Sequence, residues 1–117
     1  MIVDIKVTDL DRAILFYTQT LGFTCRRKEK EWAAFEVGGA EIHLYVDGGV
    51  TYGVEFYVSD LNQKVQELRS RGVNFFPDPT SAHLVKVDDQ GIMEFPWGRN
   101  ASFHDSEGNR LAFVEDF

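Results

Sequence analysis

The stretch Pro96–Phe113, PWGRNASFHDSEGNRLAF, decides the fold of this chain. Two segments within it, Asn100–His104 and Arg110–Val114, have the composition of strands. The residues Asp105–Asn109 connect them, and Gly108 in this connection can adopt the left-handed backbone that a hairpin bulge needs. The stretch therefore predicts a β-hairpin near the end of the chain.

Length and charge restrict the classes of protein to which this chain can belong. Its 117 residues predict a single domain spanning residues 1–117. The formal net charge of −7 argues against nucleic acid as a partner, because binding to phosphates needs clustered Lys and Arg. The basic run Arg26–Lys28 is followed by acidic residues, which is typical of a solvated strand end.

The sequence shows no sign of a targeting signal or a membrane span. Met1–Asp4 leads directly into an alternating pattern, and no apolar run approaches the roughly eighteen residues of a membrane helix. Cys25 is the only cysteine, so no disulfide can form within the chain. We expect a cytoplasmic protein without a membrane partner.

Alternation and helical spacing define the first half of the chain. Ile2–Val7 alternates between polar and apolar residues, which predicts a strand with one buried face. Thr8 or Asp9 can cap an amphipathic helix that continues as far as Gly22. Three further strands are predicted over Thr24–Glu29, Glu31–Val37 and Ala40–Asp47.

The second half repeats the first after about fifty residues. Val7-Thr8-Asp9-Leu10 aligns with Val58-Ser59-Asp60-Leu61, between a strand over Tyr52–Ser59 and a helix that ends before Gly72. The repeated unit is βαβββ, in modules of about residues 1–49 and 50–117. The remaining predicted elements are a strand over Val73–Phe76 and a hairpin of Leu84–Asp88 with Ile92–Phe95.

The motifs at both ends of the chain resemble those of one protein family. The motifs are Val7-x-Asp9-Leu10, Phe16-Tyr17, Leu21-Gly22-Phe23, Pro96-Trp97-Gly98 and the turn Asp105–Asn109. The chain resembles the bleomycin-resistance and glyoxalase branch of the vicinal oxygen chelate superfamily. This resemblance implies an α+β fold in which two βαβββ modules form an incomplete barrel, the glyoxalase/bleomycin resistance fold. Ser106 stands where the family's turn has Pro.

The resemblance also identifies the positions at which metal-using relatives carry their ligands. Those relatives take His, Glu or Gln from the first and last strands of each module, and the corresponding positions here are Ile2, His43, Gly53 and Ala112. Only His43 can bind a metal, whereas a divalent ion needs three or four donors. A small shift in register could substitute Glu41 or Glu55, but no donor replaces Ala112. We therefore predict no metal site and no cofactor.

The polar face of the predicted sheet supplies the candidate ligand-binding residues. Such a face suits either contact with water or a concave site for a small molecule. Trp97 lies between Pro and Gly, as at a strand edge that borders a groove, and Arg99 can cap that groove or pair with an acid. His43 is either a hydrogen-bonded polar residue of the sheet or a ligand contact. The candidates are Asp4, Trp32, His43, Tyr45, Glu55, Tyr57, Trp97 and Arg99.

Three hypotheses for function remain open. The carboxylates Asp4, Glu41 and Glu55 favour a cationic, planar ligand, and the resemblance implies a metal-free homodimer that sequesters such a molecule, for example a bleomycin-type antibiotic. The second hypothesis is a glyoxalase-like lyase or isomerase, with either a divalent metal or His43, Glu55 or Asp4 as a base. The third is a protein-interaction module without a pocket.

Overall fold

The computed structural model describes residues 1–117 and contains two β-sheets with two short helices. The chain divides into two compact units. The first unit comprises Met1–Tyr52 and Asp105–Asn109, and the second comprises Gly53–His104 and Arg110–Phe117. Each unit has a strand, a helix and further strands in that order, so the predicted α+β fold of two βαβββ modules is confirmed.

The first unit is a four-stranded sheet with one helical segment. Its strands are β1 (Ile2–Lys6), β2 (Thr24–Lys28), β3 (Trp32–Val37) and β4 (Ala40–Tyr45). The strand order is β1-β4-β3-β2, and β1 runs parallel to β4, whereas the other neighbours are antiparallel. Ile5, Phe35 and Leu44 are fully buried, and in β1 the buried Ile5 lies between the exposed Asp4 and Lys6.

The helical segment of the first unit changes its geometry part-way. The helix α1 (Leu10–Leu15) continues as a π-helical turn over Phe16–Thr20, in which the Leu21 N–H bonds to a carbonyl five residues back. The prediction of one regular helix is therefore wrong in its second half. The Thr18 hydroxyl donates to the Ile14 carbonyl oxygen at 2.7 Å, a contact that competes with regular helical bonding.

The second unit has the same order of elements with an additional hairpin. Its elements are β5 (Tyr52–Tyr57), α2 (Leu61–Arg69), β6 (Phe75–Phe76), β7 (Lys86–Val87), β8 (Met93–Phe95), β9 (Gly98–His104) and β10 (Arg110–Asp116). The strand order is β5-β10-β9-β8-β7, and β6 also pairs with β9. The antiparallel pairing of β9 with β10 confirms the predicted hairpin. Neither helix is long and apolar enough to cross a membrane.

The segment between α2 and β9 differs most from the prediction. The expected strand Val73–Phe76 is reduced to the two residues of β6. The start of the expected strand Leu84–Asp88 is instead the end of a 3-10 turn over Ala82–Leu84. The strands β7 and β8 pair antiparallel, so the predicted hairpin is confirmed in a shorter form. Asp88 closes this hairpin by accepting hydrogen bonds from two backbone N–H groups of its turn, both at 2.9 Å.

Two aspartate caps account for the sequence repeat. Asp9 Oδ1 accepts a hydrogen bond from the Arg12 N–H at 3.1 Å, and Asp60 Oδ1 accepts one from the Gln63 N–H at 3.1 Å. Each bond satisfies an N–H at the start of a helix that has no partner within the helix. In both units the last strand lies beside the first, β4 beside β1 and β10 beside β5. The repeat in sequence is therefore a repeat in topology.

The turn Asp105–Asn109 closes without the Pro of the family's pattern. Asp105 Oδ1 accepts hydrogen bonds from the N–H groups of Glu107 at 2.8 Å and Asn109 at 2.9 Å. Gly108 has φ of 83°, the left-handed conformation that the sequence predicts for it. The side chain of Asp105 therefore restrains the turn through two backbone N–H groups, although position 106 is Ser.

The same turn contributes Asp105 and Asn109 to a buried polar network in the first unit. Asp105 Oδ2 accepts the Tyr17 hydroxyl at 2.7 Å and Asn109 Nδ2 at 2.9 Å, and Asn109 Nδ2 also donates to the Lys6 carbonyl oxygen at 2.7 Å. Burial raises the pKa of Tyr17 far above its usual value, and the charge of Asp105 raises it further. The Tyr17 hydroxyl therefore remains a hydrogen-bond donor at any ordinary pH.

Glu107 connects this turn to the start of α1. Its side chain is only 1% exposed. Its Oε1 accepts the Thr8 N–H at 3.0 Å and the Asp9 N–H at 2.9 Å, while Oε2 accepts Arg12 Nε at 2.8 Å. A carboxylate far away in sequence thus satisfies backbone donors that precede the helix, which leaves the cap itself to Asp9.

Replacing Glu107 with glutamine should destabilise the protein. The Glu107→Gln variant should lose about 2 kcal/mol of the free energy of unfolding, because the amide brings an NH₂ group against Arg12 in a buried position. Urea unfolding measures the change. The control Glu29→Gln, which removes an exposed carboxylate paired with Arg27, should cost less than about 0.5 kcal/mol. Equal costs for the two variants would contradict the role given to Glu107.

The ionisation of Glu107 should also appear in the acid dependence of stability. Burial acts to raise the pKa of Glu107, but hydrogen bonds from Arg12, Asp9, Ser106 and Thr8 outweigh it and hold this pKa far below its usual range. A depressed native pKa gives stability that is present above the unfolded value of roughly 4.3 and is lost as the pH falls below it. The stability difference between the wild type and Glu107→Gln should therefore shrink between about pH 6 and pH 3. A difference that stays constant in urea titrations across this range would refute the assignment.

Candidate functional site

A groove of about 340 Å³ lies on the second unit, lined largely by β5, β8, β9 and β10. This volume falls within the usual range of small-molecule sites. Tyr57 and Trp97 line it and are 76% and 68% exposed, and the Trp97 ring stacks on Phe95 with 5.3 Å between centroids. The exposed ring of Trp97, held in this way, can stack on a planar molecule.

Gly98 brings β9 close to β10 directly after Trp97. A Cβ atom at position 98 would collide with the carbonyl oxygen of Glu115 and would lie 3.1 Å from Asp116 Cα. The sequence predicts such a close backbone approach from the glycine. Only glycine therefore fits this position without a shift of β10.

The groove carries net negative charge. Its charged lining residues are Arg99 and the carboxylates Glu55, Asp78, Glu115 and Asp116. Arg99 is paired with Glu115, and Asp78 lies 3.5 Å from Arg110 Nη1. The N–H of Thr80 lowers the pKa of Asp78, so this carboxylate is ionised at neutral pH. Glu55 takes part in no comparable ion pair, and its charge faces the groove.

Arg99 is fixed between β10 and the start of α2. Its Nη2 donates to Glu115 Oε2 at 2.6 Å, and its Nη1 donates to Asn62 Oδ1 at 3.2 Å. Glu115 Oε1 accepts the Leu61 N–H at 3.2 Å, and the hydrogen bond from Arg99 is the main cause that lowers the pKa of Glu115. Of the two roles expected for Arg99, the structure shows the ion pair.

Glu55 is held by a chain of two hydrogen bonds that crosses the sheet. Asn100 Nδ2 donates to Glu55 Oε2 at 3.0 Å, and the Ser102 hydroxyl donates to Asn100 Oδ1 at 3.1 Å. Ser102 is buried, and Glu55 is exposed. The two hydrogen bonds thus connect the buried Ser102 to the groove.

The first unit holds a separate aromatic cluster on its own sheet. The ring centroids of Trp32 and His43 are 5.1 Å apart, and Arg27 lies 5.3 Å from the Trp32 centroid on β2. His43 Nε2 contacts Glu41 Oε2 at 2.7 Å, and its Nδ1 lies 3.5 Å from Asp4 Oδ1. Both ring nitrogens of His43 therefore face carboxylates, which matches its interpretation as a hydrogen-bonded residue of the sheet.

The eight candidate residues fall into two groups of four. Glu55, Tyr57, Trp97 and Arg99 line the groove of the second unit. Asp4, Trp32, His43 and Tyr45 lie on β1, β3 and β4, where Asp4 is the register partner of His43 and Trp32 that of Tyr45.

The groove residues that sequence reasoning missed include Asp78, Asn100 and Glu115. One of them was within reach, because the hairpin register places Glu115 opposite Arg99 on the neighbouring strand. Asp78 lies in the irregular segment after β6. Asn100 and Glu55 lie on strands that are not adjacent, since β10 lies between β9 and β5. No local pattern indicates either contact.

The residues at the four metal-ligand positions do not fit a metal ion. Ile2, Gly53 and Ala112 have no donor atom in their side chains, and the ring nitrogens of His43 are directed at Asp4 and Glu41. No group of three or more His, Cys, Asp or Glu side chains is arranged to hold a metal.

The sequence matches the model of the Glyoxalase/Bleomycin resistance protein/Dioxygenase superfamily over residues 2–113. The chain belongs to this superfamily. The resemblance inferred from the terminal motifs is thereby confirmed. Comparison with curated protein sequences gives no match.

Several solved structures share this fold over most of their length. TnmS3, an antibiotic binding protein from Streptomyces sp. CB03234, has a TM-score of 0.74 at 22% identity, with 99% of this chain and 93% of that chain covered. TioX from Micromonospora sp. ML1 has a TM-score of 0.75 at 18% identity, with coverages of 100% and 98%. A glyoxalase family protein from Bacillus anthracis has a TM-score of 0.71 at 23% identity, with coverages of 100% and 95%. At these identities the likeness establishes the fold alone.

The ion pair beside the groove should contribute to the stability of this superfamily member. Glu115→Gln should lower the free energy of unfolding by about 1.5 kcal/mol, because it removes the charge that binds Arg99 and weakens the acceptor for the Leu61 N–H. Urea unfolding at neutral pH measures this loss. Glu36→Gln, which breaks an exposed ion pair with Arg26, is the control and should change stability by less than about 0.5 kcal/mol. A loss no larger than that of the control would show that the pair is energetically neutral.

Proposed function

We propose that this superfamily member binds a cationic, planar small molecule in the groove of the second unit and sequesters it without a metal. The observation that carries the proposal is the position of the Glu55 carboxyl group, which takes part in no ion pair, in the same groove as the exposed rings of Tyr57 and Trp97. A ligand cation would pair with the carboxylate while its plane stacks on a ring.

The superfamily and the chemistry of the groove both support a binding role. TnmS3, which has this fold, is an antibiotic binding protein. Bleomycin-type antibiotics combine positive charge with flat aromatic groups, so they are the ligand type that we propose. The arrangement of His43 favours binding over proton transfer, because its ring nitrogens face carboxylates rather than an open site.

Further parts of the proposal concern assembly and location. We propose that residues 1–117 act as one domain and that two copies form a homodimer. Exposed apolar side chains, among them Ile2 at 59% and Tyr52 at 66%, support a surface that another chain covers. The acidic charge and the single Cys25 are consistent with the cytoplasm. Sedimentation equilibrium of the purified chain tests the dimer.

Two matched dyes test the binding proposal. Fluorescence titration with 9-aminoacridine, a planar cation at neutral pH, should show saturable binding that is tighter than binding of the neutral acridine. Glu55→Gln should weaken binding of 9-aminoacridine about fivefold and leave acridine unchanged, because only the cation pairs with the carboxylate. Trp97→Ala should weaken both dyes about tenfold, because both stack. Calorimetric titration with metal-free bleomycin extends the test to an antibiotic.

The controls for these titrations keep the groove intact. Glu36→Gln removes an exposed carboxylate of the first unit, and Leu84→Ala removes an exposed apolar side chain that does not line the groove. Both controls should bind as the wild type does. The proposal fails if neither dye binds the wild type at tens of micromolar, or if Glu55→Gln and Trp97→Ala bind as tightly as the controls.

A further inference from the structure

We infer that Ser102 and Asn100 are positioning residues that hold the Glu55 carboxylate in place for a ligand cation. This inference rests on the proposed function and concerns the same groove. Ser102 does not line the groove and is buried at 5% exposure, so it acts on a ligand only through its neighbours. The contacts that carry the effect are the two hydrogen bonds from Ser102 to Asn100 and from Asn100 to Glu55.

The direction of this hydrogen-bond chain is fixed by its two ends. An ionised Glu55 carboxylate only accepts hydrogen bonds, so the group of Asn100 that faces it must be the NH₂. The amide oxygen then faces Ser102, whose hydroxyl must donate to it. Each bond polarises the next, so the serine strengthens the donor that holds the carboxylate. Removing the Ser102 hydroxyl leaves Asn100 Oδ1 without this donor and free to turn.

The strand order explains why this chain crosses the sheet. β10 lies between β5, which carries Glu55, and β9, which carries Asn100 and Ser102. The β10 residues in register with these two β9 residues are Val114 and Ala112, which have no polar side-chain atom. Glu55 therefore meets Asn100 above β10 without competition from a donor on that strand.

Positioning has a consequence for affinity. A free glutamate on a strand samples many rotamers, and a ligand that binds it must first restrict them. The bond from Asn100 restrains Oε2 before the ligand arrives and leaves Oε1 available to the ligand. The gain should apply only to ligands that pair with Glu55.

Binding of the two dyes to a remote variant tests this inference. Ser102→Ala should weaken 9-aminoacridine about threefold and leave acridine unchanged, as expected for the loss of one hydrogen bond that acts through Glu55. Ser102→Thr, which keeps the hydroxyl, should restore the affinity for 9-aminoacridine. Ser70→Ala, which removes a hydroxyl bonded to the Glu67 carbonyl at the end of α2, is the matched control and should have no effect.

A measurement without ligand gives an independent answer. In the wild type the side-chain NH₂ protons of Asn100 should exchange slowly with water in nuclear magnetic resonance spectra, and in Ser102→Ala and Glu55→Gln they should exchange faster. Asn100→Leu, of similar size without polar atoms, should weaken 9-aminoacridine at least as much as Ser102→Ala does and provides a second variant if Ser102→Ala folds poorly.

The outcomes separate this inference from the proposed function. If Glu55→Gln weakens the cationic dye while Ser102→Ala and Asn100→Leu do not, the groove binds cations and the positioning inference is overturned. If the wild type binds neither dye, the proposed function fails, and the exchange of the Asn100 amide alone decides whether the chain restrains Glu55. Exchange as fast in the wild type as in Ser102→Ala would overturn the inference in either case.

Discussion

The buried carboxylates of Asp105 and Glu107 are the constraint on which the first unit depends. Glu107 accepts the Thr8 N–H across 99 residues of sequence, and Asp105 accepts the hydroxyl of the buried Tyr17. Removing these carboxylates from water costs free energy, and the hydrogen-bond donors around each oxygen offset that cost. The loss of one donor therefore leaves a buried carboxylate without a full set of partners. The residues just before α1 are consequently held by a turn near the opposite end of the chain, in addition to the local cap at Asp9.

Local signals in the sequence were sufficient for much of the fold. Alternating burial in β1 and the aspartate caps at Asp9 and Asp60 depend on neighbours within four residues, so they can be recognised without a structure. The π-helical turn over Phe16–Thr20 and the shortened strand β6 could not be predicted in this way. Their geometry depends on which side chains and strands lie against them, and that information is not local.

The candidate site likewise contains residues that local sequence signals identify and contacts that they do not. Glu55 and Tyr57 could be selected because strand alternation places them on one polar face, and Trp97 because it lies between a Pro and a Gly. The partner of Arg99 could have been found from the register of a single hairpin, whereas the contact between Asn100 and Glu55 requires the order of three strands. Sequence reasoning therefore finds the groups that a ligand would touch more readily than the groups that hold them. The latter act through pairings that only the folded sheet creates.

The collision that any side chain at Gly98 would have with β10 bears on how the motif Pro96-Trp97-Gly98 should be used. Its glycine is required by the distance between two backbones of this chain, a demand that does not depend on what the groove binds. Trp97 is under no such demand, since most of its surface is open to solvent. A motif search that gives equal weight to these three residues therefore identifies the fold but carries no information about the ligand. Selection for a new ligand would be expected to leave position 98 untouched and to act on position 97.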